Sequence, residues 1–217
     1  MPFHIITAAE KHTVYAVEVC QMIAEAAKVR GTGIATRAPA YIQQKIEAGE
    51  AIIALDGEKL IGFCYIESWE NQQYVVNSGL IVHPAYRKSG LAKAIKKAIF
   101  DLSQEKYPKA KLFGITTSLA VMKINSELGY QPVTFSELTQ DETFWKGCQS
   151  CVNYDILQRN QQKMCLCTAM ICTPQKKQSV KSKAKRWEAF SRFLKLRRIK
   201  LQRQLKQISS TSKKISL

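Results

Sequence analysis

Apolar residues recur at helical spacing in two stretches of the first fifty positions, and beyond residue 50 the pattern changes to alternation. A short strand is predicted at residues 3–7. A helix follows over residues 12–28, its apolar face being Val14, Val17, Cys20, Ile23, Ala24 and Ala27. After a turn at Gly31, Thr32 and Gly33, Pro39 suits the first turn of a second helix, which runs through Tyr41, Ile42 and Ile46 to a stop at Gly49. Residues 51–55 and 60–69 read as strands around Asp56, Gly57 and Glu58, a hairpin signal. Residues 74–82 complete an antiparallel meander.

The turn from His83 to Gly90 opens an amphipathic helix over residues 91–105. A buried strand is predicted at 112–117, a helix at 119–128 ending at Gly129, and a strand at 132–135. Two closing strands, 152–157 and 164–171, are expected around a loop at 158–162. Strand runs mixed with helices in this order define an α+β domain with one sheet, spanning residues 1–173.

Composition and charge then divide the chain. With 46% hydrophobic residues, the 217-residue chain can bury a sizeable core, which excludes global disorder. No apolar run approaches the roughly 20 residues of a membrane span, and the N-terminus lacks a signal-peptide layout, so cytoplasmic residence is expected. Seven cysteines, an odd number, fit reduced thiols better than a disulfide framework. Of the net charge of +16, residues 174–217 carry +14, with fifteen basic residues against Glu188. That segment places Trp187, Phe190, Leu194, Leu201, Leu205 and Ile208 at helical spacing. It is expected to be a basic amphipathic helix or a solvated extension, suited to an anionic partner such as nucleic acid, a membrane surface or an acidic protein.

Candidate chemistry concentrates in the turn Arg87, Lys88, Ser89, Gly90, Leu91, Ala92. A basic, glycine-containing turn between a strand and a helix start offers free backbone N–H groups and the helix dipole to a phosphate; the alternative is a basic helix start with a solvated face. This R-x-x-G-x-A sequence resembles the pyrophosphate loop of the GNAT acetyltransferase superfamily. Val82, His83 and Pro84 before it fit the same family, as does the run Glu127, Leu128, Gly129, Tyr130. The resemblance covers nearly all of residues 3–173 and implies a GNAT-like fold, a single mixed, mostly antiparallel sheet flanked by helices. It further implies CoA-dependent N-acyl transfer from acetyl-CoA or another acyl-CoA such as succinyl-CoA, with no metal. The pyrophosphate would rest on residues 87 to 92. The pantetheine arm would pair with Leu80, Ile81 and Val82 in a splay between strands, and the acyl carbonyl would accept a hydrogen bond near Ile81. Where many members carry a tyrosine to protonate the leaving thiolate, this chain has Asn125, which can hold a solvent-derived proton by hydrogen bonding but cannot donate one itself.

For the acceptor, Arg30 and Arg37 flank a loop that would lie over the acceptor side of the sheet, and either could bind a carboxylate or simply be solvated. The runs 111–117 and 130–133 resemble the acetyltransferase domain of N-acetylglutamate synthases. Arg37 stands roughly where those enzymes hold the substrate carboxylate, and Ser118 replaces their second arginine after Thr116 and Thr117. That resemblance implies glutamate as the first acceptor, hence amino-acid biosynthesis, and a small-molecule amine as partner; a homodimer is compatible with it. The alternatives are acylation of a protein or polyamine amine, or a non-catalytic module acting through the basic tail. Glu67 and Tyr65, alternate residues on one strand face, are candidates for base chemistry, with Asn77 and Ser78 orienting amine or water. The spacing of Cys148, Cys151, Cys165 and Cys167 invites a zinc reading. In a hairpin centred near residue 160, however, Cys151 and Cys165 would lie about 13 Å apart, favouring free thiols.

Overall fold

In the computed structural model the described residues are 3–30 and 36–174. The basic tail, the turn at Gly31 to Gly33 and the Arg30 side chain lie outside them. Seven strands form one sheet: β1 (His4–Thr7), β2 (Ala51–Asp56), β3 (Lys59–Trp69), β4 (Tyr74–Val82), β5 (Lys111–Thr116), β6 (Gln131–Val133) and β7 (Thr168–Cys172), in the order β1-β2-β3-β4-β5-β7-β6. All neighbours are antiparallel except β4 and β5. The meander predicted from alternation is present, with Asp56 opposite Lys59 across a two-residue turn.

Helices α1 (Ala16–Arg30) and α2 (Pro39–Glu47) cover one face, where Val19, Ile23, Ile42 and Ile46 meet Ile53, Phe63 and Tyr65. Helix α3 (Leu91–Lys106) covers the other, laying Leu91, Ile95 and Ile99 on Ile61, Cys64, Ile66 and Val75. Helix α4 (Leu119–Glu127) follows β5. The apolar face expected for the first helix holds at Ile23, which is buried, but not at its start, where Val14 and Val17 are exposed and Ala16 and Val19 are buried instead. The cause is a 3-10 turn over Glu10–Tyr15, whose tighter three-residue period precedes α1 and resets the phase at Ala16.

A second departure lies between residues 139 and 167. The strand predicted at 152–157 is instead helix α6 (Tyr154–Arg159), preceded by an unforeseen short helix α5 (Glu142–Lys146). Buried Asn153 and Leu157 are four apart, a helical interval, whereas Val152 is exposed. The segment is anchored by Trp145, whose Nε1 donates to the Thr139 carbonyl at 3.0 Å and whose ring stacks on Phe135. The strand expected at 132–135 ends at Val133 and gives way to a 3-10 turn over Phe135–Glu137.

One lysine is buried without a counter-ion among the described residues. Lys96 of α3 is 3% exposed and donates to Asn77 Oδ1 at 3.1 Å, and its ammonium lies 5.4 Å from the Tyr130 ring centre. Burial lowers its pKa from 10.5 to about 8. The unfolded chain therefore binds more protons between pH 8 and 10.5, so the penalty is complete below pH 8 and relieved as pH rises through that window. Lys96→Met is expected to be more stable than the parent at pH 7, by up to about 3 kcal/mol. That advantage should shrink towards pH 10, as urea unfolding at both pH values would reveal. The buried thiols titrate in both proteins and cancel to first order; an advantage independent of pH would refute the linkage.

Candidate active site

Strands β4 and β5 pair only from Tyr74 opposite Lys111 to Val76 opposite Phe113. Beyond these residues they diverge, because β5 takes β7 as its partner through Thr116 while β4 stays with β3. The divergence opens a cavity of about 750 Å³ bordered by Ser78, Gly79 and Leu80 on one side and by Gly114, Ile115 and Thr116 on the other. A bulge sharpens the bend of β4: Phe63 faces Ile81 but Tyr65 faces Ser78, leaving one extra residue on β4. Gly79 sits there at φ 65°, and a Cβ on it would lie 2.5 Å from Tyr65 Cε1, so both the conformation and the close ring require glycine.

The bulge also changes which side chains face α1 and α2. Ser78 and Glu67 meet on that face. Glu67, 5% exposed, accepts from the Tyr41 hydroxyl at 2.6 Å and from Arg37 Nη2 at 3.3 Å on Oε1, and from the Ser78 hydroxyl on Oε2. Two carboxylate oxygens offer about four acceptor positions, so three donors leave one open. Burial, reinforced by the Glu67 charge, raises the pKa of both Tyr41 and Tyr65, which keeps them protonated donors. Arg37 Nη1 also reaches the Thr36 carbonyl at 3.1 Å, and its guanidinium lies 5.6 Å from the Tyr41 ring centre. Arg37 is thus held in place with N–H groups to spare, as carboxylate recognition needs.

The rest of the lining is largely apolar and sulfur-rich. Trp69, Val76, Phe135, Phe144 and Leu157 belong to it together with Cys148, Cys151, Cys165 and Cys167. The hairpin that would have separated Cys151 from Cys165 does not form, and all four thiols border one cavity. Burial, followed by the neighbouring thiols, pushes Cys148 up to about 11 and Cys167 up to about 12, so both are neutral near pH 7. All seven cysteines are free, and among the described residues no group of three His, Cys, Asp or Glu is arranged to hold a metal ion.

The donor loop is built at the α3 N-terminus. Arg87, Lys88, Ser89 and Gly90 are exposed, Lys88 and Gly90 have φ of 65° and 86°, and Leu91 anchors the first turn in the core. Among the described residues the backbone N–H groups of Lys88 through Lys93 meet no protein acceptor, whereas Ala94 N–H already bonds to the Gly90 carbonyl. Such a row of free donors at a helix start binds anions.

The predicted residues therefore separate into groups. Arg37, Tyr65, Glu67, Ser78, Leu80, Thr116 and Thr117 border the cavity together. Asn77 borders it too but turns its amide to the α3 side, donating to Ser103 Oγ at 2.7 Å. Ile81 and Val82 are core residues outside the cavity lining, so the backbone nearest the cavity is that of Gly79 and Leu80. Asn125 is also outside the lining: it packs behind Gly114 with Nδ2 3.9 Å from Met170 Sδ, and its buried Oδ1 has no partner. Sequence reasoning missed Tyr41 and Phe144, which carry no distinguishing local signal, whereas the paired cysteine spacings did mark the sulfur-rich lining.

Comparison with known proteins agrees with this geometry. The model of the acetyltransferase (GNAT) family matches residues 20–120. No curated protein is significantly similar in sequence. Among solved structures, N-acetylglutamate synthase from Neisseria gonorrhoeae, complexed with coenzyme A and N-acetyl-glutamate, superposes at a TM-score of 0.59 with 15% identity, covering 81% of this chain and 36% of the synthase. The putative acetyltransferase yncA from Salmonella typhimurium, bound to acetyl-CoA, gives 0.55 with 14% identity over 81% of this chain and 96% of its own. Diaminobutyrate acetyltransferase EctA from Paenibacillus lautus, with its substrate and coenzyme A, gives 0.52 with 9% identity, covering 80% and 95%. At these identities the likeness concerns the fold; the chain spans just over a third of the synthase. The fold is the GNAT fold. The match of residues 20–120 to the GNAT acetyltransferase model lies within this fold.

Proposed function

We propose that this enzyme acylates the amine of a small amino acid, with the acyl group supplied by a CoA thioester bound between the donor loop and the β4–β5 splay. The observation that carries the reading is the Arg37–Glu67 pair on the cavity wall, 3.3 Å apart. An α-amino acid presents a carboxylate and an amine on one carbon, and this pair offers a cation and a proton acceptor side by side. Glu67 takes the amine proton directly or through Ser78, so that the lone pair can attack the thioester carbon. As the tetrahedral intermediate collapses, the C–S bond breaks and the CoA thiolate takes a proton from solvent. Backbone at the Gly79–Leu80 bulge, nearest the cavity, is the counterpart of the donor expected near Ile81. Glutamate, the acceptor that the likeness to the synthase suggests, is the reference against which other amino acids are measured, and cytoplasmic residence belongs to the same proposal.

Arg37→Ala is expected to lower kcat/KM for the amino acid by roughly 10- to 150-fold, the loss of about 1.5–3 kcal/mol for one charge-assisted contact. Affinity for CoA should stay the same, because the donor loop lies elsewhere. Lysine, a point charge without the planar fork, should restore activity only in part. Unchanged amino-acid kinetics in the alanine variant would remove Arg37 from the site.

A further inference from the structure

We infer that the acceptor is an α-amino acid with a bulky, uncharged, largely apolar side chain, its charged head at Arg37 and Glu67 and its side chain along the cysteine-lined wall. The inference rests on the amino-acid reading and narrows it.

The distribution of charge around the cavity carries the argument. Among the described residues that line it, Arg37 and Glu67 are the two that bear charge, and they are adjacent. A ligand's ionic groups are therefore best held together at one end, as in the zwitterionic head of an α-amino acid. From that end the wall becomes uncharged and mostly apolar. A Cβ on Gly147 would lie 3.8 Å from Arg37 Nη2, and Cys148 follows Gly147 in the chain. Beyond it stand Phe144, Leu157 and the remaining thiols. Burial keeps Cys148 and Cys167 neutral near pH 7, and the polar side chains on this wall, Thr143, Asn153 and Tyr154, are uncharged, so it offers no positive charge to an anion.

Two energies then decide the side chain. A second carboxylate against this wall would be desolvated without a counter-charge and would cost several kcal/mol. Each methylene laid there instead contributes about 0.8 kcal/mol. Leucine, methionine and phenylalanine match both constraints.

The test is thiol release from acetyl-CoA by the full-length protein, with leucine, methionine, phenylalanine, alanine, glutamate and phenylethylamine as acceptors, each product confirmed by mass. The expected order in kcat/KM places leucine, methionine and phenylalanine at least tenfold above alanine and above glutamate. Phenylethylamine, which lacks the carboxylate, should fall below phenylalanine. A preference for glutamate would overturn this inference and leave amino-acid acylation standing. A preference for phenylethylamine would overturn the placing of the head group. Failure to acylate any of them by a protein that still binds CoA would overturn the amino-acid reading itself.

Discussion

Glu67→Gln should lower kcat by on the order of 10²- to 10⁴-fold, the range over which positioned general bases act. The substitution keeps the side chain's shape but replaces one carboxylate oxygen by an NH₂ group and removes the charge. Three donors converge on this carboxylate, from Tyr41, Arg37 and Ser78. An amide has a single acceptor oxygen, so at least one of these donors loses its partner, and Arg37 loses its counter-ion. The acceptor amine then has no group to take its proton, and the recognition pair is broken at the same time. Affinity for CoA, set at the α3 N-terminus, should change by less than about twofold, since distant independent sites do not couple. Stopped-flow acyl transfer with saturating acceptor, together with a melting curve, separates chemistry from folding. A folded Gln variant with kcat within tenfold of the parent would show that Glu67 is a structural anion and that the base lies elsewhere.

Glu67 and Tyr65 were legible as a pair because strand alternation alone puts residues two apart on one face, and the strand carrying them is strongly apolar. Their partners were not. Tyr41 lies on α2, twenty-six residues from Glu67, and nothing in the local pattern of that helix distinguishes a hydroxyl that faces a carboxylate from one that faces solvent. The same boundary separates the parts of the fold. Strands and helices between residues 39 and 128 follow from period, glycine and proline signals, since each is set by neighbours in sequence. The position of β7 between β5 and β6 is a pairing over more than fifty residues, which periodicity does not encode. Yet that pairing is what draws β5 away from β4 and opens the cavity. Between residues 139 and 167 the short helices are held by Trp145 and Phe144 against Phe135, Phe113 and Trp69. Alternation of Val152, Tyr154 and Ile156 imitates a strand, whereas the residues that bury are Asn153 and Leu157. The error in the cysteine geometry followed from that misread period: a hairpin spreads the thiols along a strand, and the observed turns gather them at one wall.

The donor loop, by contrast, lay in six consecutive residues and needed no long-range pairing to be found, so its test is the most direct. Gly90→Glu is expected to weaken CoA binding by more than 100-fold while the domain remains folded. Gly90 caps α3 at φ 86° and ψ −5°, and a Cβ there would meet nothing within 4 Å. The substitution therefore causes no packing clash, and its conformational cost is the roughly 1–2 kcal/mol of placing an L-residue in the left-handed region. Its carboxylate, however, stands beside the free N–H groups of Lys88 through Lys93, where the pyrophosphate would rest. Two like charges about 4 Å apart repel by about 4 kcal/mol at an effective dielectric of 20, which exceeds 100-fold in affinity on its own. Gly90→Asn separates the two effects, since asparagine tolerates the left-handed region and brings no charge; it should bind CoA within about tenfold of the parent. Arg87→Ala should also lose about tenfold or less, because the backbone donors remain. Titration calorimetry with CoA at two salt concentrations checks all three, and the Glu variant's deficit should shrink at high salt as the repulsion is screened. A folded Glu variant that binds CoA as the parent does would place the pyrophosphate away from the α3 N-terminus.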